Sequence, residues 1–127
     1  MDSQKTEILF IERCIDFLKP ETGQMAIVLP DGILTNSSLQ YVRDFIMERC
    51  QILAVVALPP FAFDHFGAGV KSSLVFVRRK STKEKLGRYE IFMAIAEHIG
   101  YEATGKLDQK NDLPVILEKY QNFKKIM

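Results

Sequence analysis

A chain of 127 residues is the size of one domain or a piece of a larger one, and its 47% apolar content is enough for a core. Its 17 basic and 16 acidic side chains leave a formal net charge of +1, which argues neither for nor against an acidic partner. Met1 to Glu7 is polar and mixed in charge, unlike a signal peptide, and no apolar run approaches the roughly 18 to 20 residues that span a bilayer. A soluble, cytoplasmic protein is expected.

Ile8, Ile11, Cys14 or Ile15, and Leu18 recur at helical spacing and predict an amphipathic helix from about Ser3, a plausible cap, to Leu18. Lys19-Pro20-Glu21-Thr22-Gly23 ends it, with Gly23 allowing left-handed backbone. Gln24 to Leu29 is nearly continuously apolar and reads as a strand buried on both faces. Pro30-Asp31-Gly32 closes that strand. Asn36-Ser37-Ser38 then offers caps for a helix carrying Leu39, Val42, Phe45 or Ile46, and Arg49 on one face through Cys50. With the apolar strand Ile52 to Leu58, this makes a βαβ-like unit, which implies a mainly parallel sheet covered by helices on both faces.

A Pro59-Pro60 turn and a loop rich in Phe and Gly, Phe61 to Gly69, lead to another strand, Val70 to Arg79. Two strands this apolar cannot stand alone in water, so they are expected to form one edge of a larger sheet. Lys80 to Arg88 reads as an exposed turn, followed by a hairpin strand over Tyr89 to Ala96. Gly100 to Gln109 reads as loop. Asn111 or Asp112 caps a last helix to about Lys124, with Val115, Ile116, Tyr120 and Phe123 on its apolar side.

The chain has no P-loop, no GxGxxG, no HExxH, no GxSxG and no zinc spacing. Cys14 and Cys50 lack CxxC spacing and are expected to be buried reduced thiols. His65, beside Asp64, offers an acid/base pair without a second partner, and His98 reads as structural. Asp31 follows the carboxyl end of a strand, the edge where open α/β sheets bind ligands, although Pro-Asp-Gly is also ordinary turn chemistry. Phe61, Phe63 and Phe66 alternate in the loop; such residues usually pack beneath a loop, but beside Gly67, Gly69 and Lys71 they also suit stacking on a flat ring near a phosphate. Lys71 to Arg88 holds seven basic residues and one acid, which fits either phosphate attraction or a solubilising rim on an edge strand.

The segments FIERCIDFLKPETGQMAIVLPDGIL, LAVVALPPFAF, GVKSSLVFVRRK, IFMAIAEHIGYEATGK and NDLPVILEKYQNF, in this order and spacing, resemble the modification (methyltransferase) subunit of type I restriction-modification systems. The resemblance covers nearly the whole chain. It implies a Rossmann-like class I S-adenosylmethionine-dependent methyltransferase sheet, mostly parallel with an antiparallel strand and flanking helices, that methylates adenine N6 in DNA. The family's glycine-rich cofactor loop and Asn-Pro-Pro-aromatic tetrapeptide are absent; Leu58-Pro59-Pro60-Phe61 lies after a later strand and lacks the Asn.

Residues 1–127 therefore look like the C-terminal half of the catalytic domain, supplying roughly its fifth to seventh strands, with no catalytic residue, no bound S-adenosylmethionine and no activity alone. By resemblance, Phe63, or Phe66 as second choice, stacks on the flipped adenine. Pro30, Asp31 and Gly32 lie near the base pocket, and Lys71 meets the DNA backbone. Specificity and restriction subunits are the implied partners, and no metal is implied. Two further readings remain: a stand-alone, non-enzymatic interaction module that could dimerise through an exposed sheet edge, and a nucleotide-using Rossmann enzyme, disfavoured by the missing phosphate loop.

Overall fold

The computed structural model describes residues 6–63, 71–82 and 84–126. The elements in chain order are α1 (Thr6–Phe17), β1 (Gln24–Pro30), α2 (Asp31–Thr35), a single 3-10 turn (Ser37–Leu39), α3 (Gln40–Arg49), β2 (Cys50–Ala57), β3 (Ser72–Arg79), β4 (Phe92–Ile95), β5 (Ile99–Tyr101), β6 (Leu107–Asn111) and α4 (Leu113–Ile126). The expected cap Ser3 lies outside the described residues.

β1 to β4 form a four-stranded sheet in the order β1-β3-β2-β4. β3 runs antiparallel to both neighbours, while β4 pairs parallel with β2, so β1, β2 and β4 all point the same way. This is the expected α/β sheet with one reversed strand. The details differ from the sequence reading. β1 and β2 are not adjacent, because β3 separates them, and β3 is therefore an interior strand rather than an edge. β4 does not fold back on β3 as a hairpin; both sides of β3 are already hydrogen-bonded, and the chain crosses to the open side of β2.

Side chains alternate across β3, which assigns the two faces. Val75 and Val77 meet Ile8, Ile11 and Ile15 of α1 and Val42 and Ile46 of α3, all buried. Each such aliphatic side chain contributes about 2 kcal/mol by leaving water. Leu74 and Phe76 point the other way, with Val56, Leu113 and Ile116. On that face Tyr120 of α4 stacks 6.2 Å from Phe76 and lies 5.3 Å from Phe92, and Phe123 lies 5.7 Å from Phe92. Leu113, Ile116, Tyr120 and Phe123 thus make the inward side of α4; Val115, expected there, is exposed.

β1 is not buried on both faces. Gln24, Ala26 and Val28 are exposed, Val28 by 41%, whereas the aromatic side of α4 packs on Phe76 of β3 and Phe92 of β4. Among the described residues β1 pairs only with β3, so its other edge has no strand beside it. A shallow apolar groove runs along that edge past Phe10, Ile11, Ala26, Val28 and Pro30, and Phe10 and Phe17 of α1 are 61% and 78% exposed.

Local chemistry explains where elements end. Arg79 Nη1 donates to the carbonyls of Ile15, Asp16 and Leu18 at 3.2, 3.2 and 2.8 Å, closing the C-terminus of α1. In the following turn Glu21, not Gly23, takes the positive φ of 74°. Gly23 is required for close approach instead, since a Cβ there would lie 2.5 Å from the Lys19 nitrogen. Pro30-Asp31-Gly32 opens the short helix α2 rather than a simple turn. Asn36 Oδ1 accepts from the Ser38 N–H at 3.0 Å, the expected cap chemistry ahead of α3.

Next to the bulge in β2, before the pairing with β4 begins at Ala54, the Ile52 N–H donates to Tyr89 Oη at 3.3 Å. Cys50 is fully buried at the start of β2, and burial pushes its thiol pKa up; Cys14 is only half-buried on α1, short of the burial expected for it.

The region read as loop over Gly100 to Gln109 is the two-stranded ribbon β5-β6. Gly100 has φ of 89° at its bulge, and Gly105 has φ of 87° in its turn. Both glycines are ribbon geometry, not loop punctuation. Both expected caps of α4 are used, for different tasks. Asn111 Oδ1 accepts from the Leu113 N–H at 3.0 Å, whereas Asp112 Oδ2 accepts from the Glu97 and His98 N–H groups, each at 2.9 Å. The His98 carbonyl accepts from the Asp112 N–H at 2.7 Å, so the start of α4 is tied to the β4-β5 turn in both directions. Among the described residues no helix is long and apolar enough to cross a membrane.

The N–H groups of His98 and Glu97 hold the Asp112 carboxyl below its usual pKa. A depressed folded-state pKa stabilises above the unfolded value of about 4, and the contribution is lost as pH falls through the folded value. Asp112→Asn is expected to flatten the acid limb of the stability curve below pH about 4, read as urea midpoints from pH 2 upward.

Candidate functional site

The carboxyl ends of β1, β2 and β4 meet at one edge of the sheet, where β3 begins. Pro30 ends β1 opposite Ser72, and the Asp31 N–H donates to the Lys71 carbonyl at 2.9 Å. The Leu58 N–H donates to the Ser72 carbonyl at 3.0 Å, and the Ala96 N–H to the Ala57 carbonyl at 2.8 Å. This ladder fixes the ends of all three strands in one row, the position where open α/β sheets hold ligands.

Of the residues singled out in the sequence, Pro30, Asp31 and Lys71 are brought together. Lys71 Nζ lies 3.1 Å from Asp31 Oδ2, and Ser73 Oγ donates to Asp31 Oδ1 at 3.2 Å. Asp31 is thereby held by an ammonium from Lys71, just before β3, and a hydroxyl from Ser73 within it. Gly32 is exposed, with nothing within 4 Å of the place a Cβ would occupy.

Phe63 stands at the far end of the segment leaving β2, half-buried against a cluster of Val56, Leu58, Ala62, Ala96 and Ile99, with Phe61 and Tyr101 beside it. Phe66, Asp64 and His65 lie outside the described residues. His98 sits in the β4-β5 turn, 3.9 Å from Asp108 through Nδ1, away from Asp31 in the chain and used there for its backbone. Among the described residues no cluster of histidine, cysteine and carboxylates is arranged to hold a metal.

Two members of the basic run, Arg78 and Arg79, are committed to the fold. Arg79 caps α1 as described. Arg78 pairs with Glu84, donates to Gln51 Oε1 at 3.1 Å and to the Glu21 carbonyl at 2.8 Å. Its guanidinium, followed by the Ser81 N–H, holds the Glu84 carboxyl below the ordinary range. Neither arginine forms a rim on an edge strand.

Sequence reasoning missed two residues. Ser73 was hidden inside an apolar strand, although its position two after Lys71 places both on one face. Tyr101 was assigned to loop, yet its hydroxyl donates to the Ala62 carbonyl at 2.7 Å, next to Phe63. The alternation of Ile99 and Tyr101 around a glycine was the available signal for a bulged strand.

The N-6 DNA Methylase family profile matches residues 1–127. The chain belongs to the N-6 DNA methylase family. Within this family it is similar to the type I restriction enzyme EcoEI methylase subunit of Escherichia coli, at 28% identity over 91 residues, which is 71% of this chain and 18% of that protein.

Among solved structures, the methylase chain superposes on a protein from Listeria monocytogenes assigned as a class I S-adenosylmethionine-dependent methyltransferase. The TM-score is 0.63 and the identity 22%, over 91% of this chain and 32% of the other. A chain from a structure of complex assembly and conformational transition in a type I restriction-modification system gives a TM-score of 0.66 at 21% identity, over 98% of this chain and 25% of that one. The fold is thus that of class I methyltransferases, and this N-6 DNA methylase chain spans about a fifth of the curated relative and a quarter to a third of these solved ones.

The Asp31 and Lys71 side chains are 32% and 44% exposed, so their ion pair is screened. Asp31→Asn is expected to change the stability of this N-6 DNA methylase chain by less than about 1 kcal/mol, measured by urea denaturation, because a screened pair adds little to the fold.

Proposed function

We propose that residues 1–127 are the target-base half of a DNA adenine-N6 methyltransferase of the type I modification-subunit kind. What supports this reading is that an aromatic segment containing Phe63 and the Asp31-Lys71 pair both lie at the carboxyl edge of a sheet whose β1 flank, among the described residues, has no strand beside it. Enzymes that modify a base lift it from the stack and hold it against apolar or aromatic faces. Phe63 would stack on the extruded adenine, with Pro30, Asp31 and Gly32 along the pocket wall. Lys71, half-exposed, would exchange Asp31 for a backbone phosphate.

S-adenosylmethionine, the methyl donor of this family, would bind outside these residues. Gly23 and Gly100 are closed by their own neighbours and Gly32 and Gly87 face open space, so none of these four glycines opens a cradle for an adenosyl group. The donor site and the catalytic tetrapeptide would come from further strands of the same protein, laid against the free edge of β1. That edge is apolar and seven residues long, the kind of template that recruits another strand. The whole protein would act in the cytoplasm with specificity and restriction subunits. Pairing of two copies through β1 is a second use of the same edge, and light scattering of the isolated chain distinguishes it.

The test is methyl incorporation into adenine N6 from labelled S-adenosylmethionine. The full-length protein with its specificity subunit is expected to transfer methyl groups, and the 127-residue chain alone to show neither transfer nor heat of cofactor binding. Turnover by the isolated chain overturns the reading. In the full protein Phe63→Ala is expected to lower kcat/KM about 10- to 100-fold, in line with the ~1–3 kcal/mol that a stacked base loses.

A further inference from the structure

The ribbon β5-β6 lies outside the four-stranded sheet, yet it reaches the aromatic segment by a side-chain hydrogen bond as well as by packing. Tyr101 Oη donates to the Ala62 carbonyl at 2.7 Å. Ala62 is 2% exposed, and its own N–H donates to the Pro59 carbonyl at 3.1 Å, so both of its backbone polar groups are held. Phe61 and Phe63 flank it, and fixing the peptide between them fixes the direction in which Phe63 leaves the chain.

The ribbon itself is braced. Its first residue, Ile99, is buried beside Ala62, Tyr101 pairs with Leu107, and Asp112 ties the preceding turn to α4 by three hydrogen bonds. A group that holds a contact residue on a rigid support determines how closely that residue can be presented to a ligand.

We infer that Tyr101 is a positioning residue for the held base: its hydroxyl sets the Phe61–Phe63 segment, and with it the stacking face of Phe63, from the β5-β6 ribbon. This rests on the base-holding role proposed for Phe63. Tyr101 is assigned no contact with a reacting atom; the bond to the Ala62 carbonyl is the part of its role that the hydroxyl carries. Removing the hydroxyl leaves the ring in its apolar cluster and frees the segment to sample other directions, so the loss should appear in base capture and leave the affinity for S-adenosylmethionine unchanged.

The experiment uses the full-length methyltransferase assembled with its specificity subunit and two DNA duplexes: one carrying 2-aminopurine at the target adenine, which reports base capture but has no 6-amino group to methylate, and the unsubstituted one, on which kcat/KM is measured. Tyr101→Phe is expected to reduce the rise in 2-aminopurine emission and to lower kcat/KM for DNA about 3- to 10-fold, the usual worth of one hydrogen bond, with the Kd for S-adenosylmethionine unchanged. Tyr89→Phe, which also removes a hydroxyl bonded to backbone but far along the chain from Phe63, controls for general loosening and is expected to leave the emission as in the parent. An unchanged emission and kcat/KM in Tyr101→Phe overturns the inference, as does an equal loss in both variants. If the parent enzyme methylates DNA but shows no emission rise, the base-holding role of Phe63 fails, and the role of Tyr101 fails with it.

Discussion

The antiparallel insertion of β3 between β1 and β2 is the constraint on which the rest depends. It supplies the hydrogen-bond partners of both neighbours, places Val75 and Val77 on one face and Leu74 and Phe76 on the other, and so defines the two layers of the core. It also decides the site. Because β3 starts where β1 and β2 end, Lys71 and Ser73 fall opposite Asp31, and the segment after β2 is returned to the same edge. A parallel strand in that place would begin at the far edge and carry these side chains away.

The sequence made part of this visible. Helical periodicity located α1, α3 and α4, because each buries a single stripe whose spacing survives in the residue order. Continuous apolar runs located β1, β2 and β3. Pairing was less visible, since an apolar strand of either orientation has the same composition, and β4 was assigned to the neighbour that is close in sequence instead of the one with a free edge. β5 and β6 were lost because Gly100 and Gly105 look like loop residues until their positive φ values are seen in a ribbon.

The same division holds for the site. Asp31 and Lys71 stood out because they follow or precede strands, a position that sequence alone can assign. Their ion pair joins residues 40 apart in the chain and could only come from the sheet register. Tyr101 was overlooked because its contribution is a single bond to a backbone carbonyl, and carbonyls leave no trace in the residue alphabet. For Phe63 the two sequence alternatives, packing and display, turn out not to exclude one another: the ring is half-buried, resting on Ala62 and its neighbours while keeping part of its surface in solvent.

The inward use of Arg78 and Arg79 alters what the chain's electrostatics mean. A residue tally over 71–88 describes a strip of positive potential, whereas the two guanidinium groups are rivets joining α1, β3 and the turn beyond it, their charge met by carbonyl dipoles and the Glu84 carboxylate. Both groups keep their charge at long range, but neither can swing out to a second partner without uncapping α1 or releasing Glu84. Their bonds, partly shielded from solvent, are screened by ionic strength far less than an attraction between exposed charges would be, so this joint between α1 and β3 should hold at high salt.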